Sequence, residues 1–118
     1  MTPLILAADS GSLNSVKLII EYGGFNVNAA EKELKRTALM LAAKKGYSEI
    51  VDELLKIPDI DVNKSDISGM TALHFACRKG DTASVELLLK MPDIDVNVQS
   101  VFTYGFYRVL YYCAYHVF

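Results

Sequence analysis

One order of residue types returns three times in 118 residues, and a chain that repeats itself every 34 or 35 positions has to be read as a stack of like units. Thr2, Thr37 and Thr71 each open an apolar run in which Pro or Ala follows and then Leu. Nine residues after each threonine stands a glycine: Gly11, Gly46 and Gly80. A valine comes five residues later (Val16, Val51, Val85), then an aliphatic pair (Ile19-Ile20, Leu54-Leu55, Leu88-Leu89). Each unit closes on Val-Asn, at Val27-Asn28, Val62-Asn63 and Val96-Asn97.

The local chemistry of each unit predicts a pair of helices. Threonine is a good N-cap, because its side-chain oxygen accepts from an amide that lacks a partner in the first turn. Pro3 stands at a first helical position, where its missing N–H costs nothing. The first helices are expected over residues 3–10, 38–45 and 72–79, each ended by its glycine. Second helices are expected over 13–22, 48–57 and 82–91, with apolar stripes such as Val51, Leu54, Leu55 at helical spacing. Pro58 and Pro92 stop the second and third of these. The segment that follows should run extended and form a turn or hairpin, for which Asp66, Ser68 and Gly69 are suitable residues.

Thr71-Ala72-Leu73-His74-Phe75-Ala76 matches the Thr-Pro-Leu-His-x-Ala signature almost fully, and the chain thereby resembles the ankyrin-repeat proteins. The stretches Thr37 to Ala42 and Thr2 to Ala7 match with the histidine replaced. The resemblance runs from Thr2 to about Asn97 and implies an all-α fold, a solenoid of stacked antiparallel helix pairs joined by β-turn or hairpin loops. The array is expected over residues 1–100, with repeats at about 2–36, 37–70 and 71–100. Its units are longer than the family's usual 33 residues. One extra residue in each falls near Pro58 and Pro92. Another lies in the first hairpin, where Lys35 takes the place of the turn glycine, so this hairpin is expected to be the looser.

From Ser100 the pattern fails, since Gly105 stands where a fourth threonine is due. Eight of the last eighteen residues are aromatic against four in the preceding hundred, and that shift makes residues 101–118 a separate tail. It is read as a degenerate half-repeat covering the end of repeat three, with Phe102, Phe106, Val109, Leu110 and Tyr112 as the covering residues. A chain that leaves the array early and a membrane-seeking tail are the alternatives. The last is disfavoured by Arg108, His116 and several tyrosines, because a span needs about twenty mostly apolar residues.

Apparent ligand sets dissolve on closer reading. Asp59-Ile60-Asp61-Val62-Asn63 and its copy Asp93 to Asn97 imitate the start of a calcium loop, but such a loop needs a glycine at position six and a glutamate at twelve. Lys64 and Met70, then Val98 and Tyr104, stand there instead. His74 with Cys77 and Cys113 with His116 would make four zinc ligands on paper. The resemblance instead makes His74 a structural residue bonded to the Thr71 hydroxyl and the turn. No cofactor, metal or catalytic grouping is expected. Two cysteines do not make a disulfide framework, which fits a reducing compartment. The start of the chain is no convincing signal peptide, so an intracellular address is expected, in the cytoplasm or nucleus. A net charge of −2 provides no field for nucleic acid or acidic lipid.

The function expected is that of a non-enzymatic scaffold for a protein partner of partly acidic character. In the ankyrin family partners are usually bound along the concave side, by hairpin tips and first helices. Carried over by position, the candidate contacts are Leu34, Arg36, Lys44 and Lys45 in repeat two, with Glu33 beside them. In repeat three they are Ile67, Ser68, Met70, Arg78 and Lys79. Leu34, Ile67 and Met70 would be apolar anchors within a basic rim, although Ile67 and Met70 could equally pack on the adjacent turn. The competing expectation is a fragment of a longer array with a structural role only, prone to self-association through its ends.

Overall fold

A computed structural model describes residues 1–98, so the expectations for the tail, including Cys113 and His116, lie outside the described residues. Each unit begins as its threonine dictates. Thr2, Thr37 and Thr71 hold extended backbone, and their Oγ1 atoms accept from the N–H groups of Ile5, Met40 and His74 at 3.2, 3.3 and 3.4 Å. These caps open helices α1 (Pro3–Ser10), α3 (Ala38–Lys45) and α5 (Ala72–Lys79), with the bounds expected. Their partners are α2 (Leu13–Tyr22), α4 (Ser48–Leu55) and α6 (Thr82–Leu89).

The last two of these end two residues earlier than expected. A proline in a helix clashes with the carbonyl four residues back and restrains the residue before it, so Pro58 acts on Leu54 and Ile57. The chain leaves α4 through a tighter turn in which the Ile57 N–H donates to the Leu54 carbonyl at 3.2 Å. Met91 does the same to Leu88 at 3.1 Å ahead of Pro92. Repeat one has no proline there, and α2 runs its full ten residues.

The helices stand in two rows. In one, α3 packs between α1 and α5; in the other, α4 packs between α2 and α6. Ala8, Ala42, Ala43, Ala76 and Cys77 are fully buried, which shows why that face must stay small. Leu39, Val51, Leu54, Leu73, Val85 and Leu88 fill the space between the rows.

A second set of contacts joins the loops that end each repeat. The Asn28 side chain donates from Nδ2 to the Asp59 carbonyl and accepts at Oδ1 from the Asp61 N–H, both at 2.7 Å. Asn63 repeats this with the Asp93 carbonyl and the Asp95 N–H, again at 2.7 Å. Within each loop an acceptor two residues earlier bonds the asparagine N–H: Asn26 in repeat one, Asp61 and Asp95 in the others. Of the paired aspartates that imitated a calcium loop, Asp61 and Asp95 are therefore turn acceptors, and Asp59 and Asp93 offer main-chain carbonyls to the asparagine of the preceding repeat. Among the described residues no three His, Cys, Asp or Glu gather where they could hold a metal ion.

Neighbouring repeats also meet at Gly11. Its φ of 77° is left-handed, and a Cβ there would lie 2.8 Å from the Tyr47 ring of the next repeat. Gly80 has the same φ, at 78°, but open space where a Cβ would go. Gly80→Ala should cost about 1 kcal/mol from backbone strain alone. Gly11→Ala should cost more, and the excess should vanish in the Tyr47→Ala background; a urea-denaturation double-mutant cycle measures it.

Candidate functional site

The face that could meet a partner is built on two hairpins, each held by one acidic side chain. Ala30 bridges to Thr37 and Ser65 to Thr71. In the second hairpin Asp66 Oδ1 accepts from the Ser68 N–H, the Met70 N–H and the Ser68 hydroxyl, at 2.9, 2.9 and 2.8 Å. The first hairpin has one residue more, and Glu31, one methylene longer, stands in the place of Asp66. Its carboxylate accepts from the N–H groups of Glu33, Leu34 and Arg36 at 3.0, 2.6 and 3.2 Å. Desolvation raises the Glu31 pKa, but these backbone donors, aided by the Arg36 charge, bring it below the usual carboxylate range.

This hairpin is thus not the looser one; both are locked by a carboxylate taking main-chain donors. Lys35 does occupy the glycine place. Its φ is 62°, the one left-handed non-glycine among the described residues, against 85° for Gly69. The strain of a Cβ in that region is tolerated because the Glu31 bonds on either side fix the turn.

The candidate residues separate into two groups on this scaffold. Leu34 and Ile67 are at the two tips, 43% and 67% exposed, and the Ile67 N–H donates to the Leu34 carbonyl at 2.9 Å. Lys44 stands exposed at the end of α3, and Arg78 and Lys79 at the end of α5. Cations there also complement the helix dipole. Met70, Arg36, Lys45 and Ser68 are engaged by the array itself. Met70 is fully buried, so its side chain is not presented to a partner. It immediately precedes Thr71, and pairing of its backbone with Asp66 holds it against the core.

Arg36 occupies the matching place before Thr37 and is likewise drawn in. Its Nε lies 3.4 Å from Asp66 Oδ2, and its guanidinium sits 5.2 Å from the Phe75 ring centre. Lys45 reaches back to repeat one, where its Nζ lies 2.8 Å from both the Asp9 carboxylate and the Asp9 carbonyl. The hydrogen bond to Asp9 raises the Lys45 pKa. Ser68 is half-buried, with its hydroxyl committed to Asp66. Asp66 holds the turn for which the sequence suited it, whereas Asp9 and Glu31 are the organisers that sequence reasoning passed over. Each was legible as a charge about one repeat away from its partner or a few residues before a capping threonine.

His74 takes the structural place the sequence assigned. Its Nδ1 accepts from the Thr71 N–H at 3.0 Å while Thr71 Oγ1 caps the His74 N–H, a closed box that Ile5 and Met40 cannot form. Burial lowers its pKa from 6.5 to about 4, outweighing the opposing Val98 backbone and the Asp66 charge.

Comparison with known proteins places the pattern. A family model of ankyrin repeats, three copies, matches residues 4–100. The chain is 38% identical over 70 residues to Alpha-latrotoxin-Lg1a of Latrodectus geometricus, covering 59% of this chain and 5% of that one. It is 39% identical over 70 residues to Rabankyrin-5 of Homo sapiens, 59% of this chain and 6% of that one. A Plasmodium falciparum protein with E3 ubiquitin-protein ligase in its name is 43% identical over 72 residues, 60% of this chain and 1% of that one. The chain thus spans a small fraction of these relatives' length.

Lys35→Gly should stabilise the protein by about 1 kcal/mol by relieving the left-handed strain, read as a higher urea midpoint. His74 is neutral in the folded state, whereas the unfolded chain takes up its proton below pH 6.5. Stability present above pH 6.5 should therefore be lost as pH falls toward 4, by up to about 3 kcal/mol. His74→Gln, which can still close the capping box, should flatten that slope in denaturation series at pH 7 and 5.

Proposed function

Since this chain belongs to the ankyrin-repeat family, whose fold is a non-enzymatic protein-interaction module, we propose that it binds an acidic segment of a partner protein along its hairpin tips and first helices. The observation that carries this reading is the pairing of exposed apolar tips with exposed cations on one row of helices. Leu34 and Ile67 are joined by a main-chain hydrogen bond, and Lys44 and Lys79 end the helices that start from those hairpins.

The dimensions suit a short peptide stretch. An eight-residue helix is about 12 Å long, so an extended segment of about four residues spans from the tips to the cations. Apolar side chains would seat on Leu34 and Ile67, and acidic ones would meet the lysines. Binding of this kind draws affinity from the apolar anchors and selectivity from the charges. Arg36, Lys45 and Met70 contribute only by holding the scaffold in shape. No helix among the described residues is long and apolar enough to cross a membrane.

Ile67→Ser and Leu34→Ser should each reduce capture of the partner in affinity pull-down by about tenfold, a loss of about 1.4 kcal/mol. Lys44→Glu with Lys79→Glu should do the same, with the loss shrinking at higher salt. Helical circular dichroism and the urea midpoint should stay unchanged in all of them. Undiminished capture by the tip and charge variants together would overturn the proposed face.

A further inference from the structure

Two steps join the three repeats, and they treat one pair of positions differently. Asp9, Lys44 and Arg78 each stand seven residues after their capping threonine, and Ser10, Lys45 and Lys79 stand eight after it. Between repeats one and two, Lys45 reaches back to the seventh position of the preceding unit, where its Nζ lies 2.8 Å from the Asp9 carboxylate. Between repeats two and three, Lys79 stands in the place of Lys45. The place of Asp9 is then held by a second cation, Lys44.

Packing at the second step fixes Lys79 in that register. The Tyr47 ring covers Gly11 at the first step, but Asp81 takes the place of Tyr47 in repeat three. Gly46 is covered instead by the stem of Lys79, whose Cγ and Cε lie 3.3 and 3.2 Å from where a Gly46 Cβ would stand. Asp81 Oδ2 is 3.9 Å from the same point and accepts the Ser84 hydroxyl. Among the described residues neither Lys44 nor Lys79 forms an ion pair, and both are exposed. The Lys79 stem thus rests on the neighbouring repeat while its ammonium stays in water.

We propose that Lys44 and Lys79 together hold a phosphate group carried by a phosphorylated serine or threonine of the partner protein. The first step shows which kind of group is missing at the second: an anion between position seven of one repeat and position eight of the next. A single carboxylate there satisfies one ammonium, as Asp9 satisfies Lys45. With a cation at both positions, a phosphate monoester is the better match. It carries about −1.5 to −2 charge near neutral pH and three strong acceptor oxygens, enough for both lysines. Exposed ion pairs add little by themselves, so a free phosphate ion lacks the affinity that a segment also seated on Leu34 and Ile67 has. The inference rests on the partner-binding reading above and narrows its acidic residue to a phosphorylated one.

The test is fluorescence-anisotropy titration of the 118-residue chain with three labelled peptides, Leu-Leu-Ala-Ala-X-Ala-Ala-Leu-Leu, in which X is phosphoserine, glutamate or serine. The phosphoserine peptide should bind at least tenfold tighter than the glutamate peptide. Lys44→Ala and Lys79→Ala should each remove most of that preference, whereas Lys32→Ala, at an exposed cation of the first hairpin, should leave it intact. Lys44→Asp restores the acid that repeat one has. It should raise the urea midpoint, an increase that Lys79→Ala cancels, and it should abolish the preference for phosphoserine. A midpoint that does not rise shows that the two positions do not face each other, and overturns the site. Equal binding of the three peptides, or a preference that survives both alanine substitutions, overturns it as well. If Ile67→Ser still weakens all three peptides in that case, the partner-binding reading stands without the phosphate. No binding of the phosphoserine peptide also overturns the site, and the pull-down with the tip variants then decides the partner reading separately.

Discussion

None of the three helix pairs among the described residues buries its apolar face alone. Eight- and ten-residue helices are too short to persist alone in water, so their stability has to come from packing against the next pair. Ala42, Ala43, Val51 and Leu54 are fully buried only because repeats one and three lie on either side of repeat two. The alanine faces let the rows approach, and the approach is close enough that Gly11 admits the Tyr47 ring only because it has no Cβ. Everything else in the structure depends on that contact between neighbours.

Polar groups then fix the register that apolar packing alone would leave loose. The Asn28 and Asn63 rungs each spend both ends of one amide on the main chain of the next loop, so a slip of one residue would break two bonds at once. Glu31 and Asp66 do the equivalent for the hairpins. The pairing of the longer acid with the longer turn shows how an inserted residue is absorbed without opening the loop. Because these locks are satisfied internally, the tips can display Leu34 and Ile67 to solvent without support from a partner.

The same locks explain how the candidate face narrowed. A cation after a hairpin or at a helix end is equally suited to a partner's carboxylate and to one on the neighbouring repeat. Sequence position does not distinguish the two. Arg36 found Asp66, and Lys45 found Asp9, each about one repeat away. Lys44, adjacent to Lys45 on the helix, points elsewhere and stays exposed. Met70 and Ile67 differ in the same way: three residues apart in one turn, one is buried and the other two-thirds exposed.

The sequence by itself determined the repeat, the caps, the helix pairs and the stacking, because threonine, glycine, alanine and the aliphatic stripe act within one turn of helix or one repeat. It also placed His74 against Thr71, a contact three residues long. Only the tertiary structure decided which charges are spent on neighbours, which tip residue turns inward and that the first hairpin is tightly bonded. Those outcomes depend on distances between side chains about 30 residues apart, such as Arg36 and Asp66. Such distances exist only once the repeats have stacked.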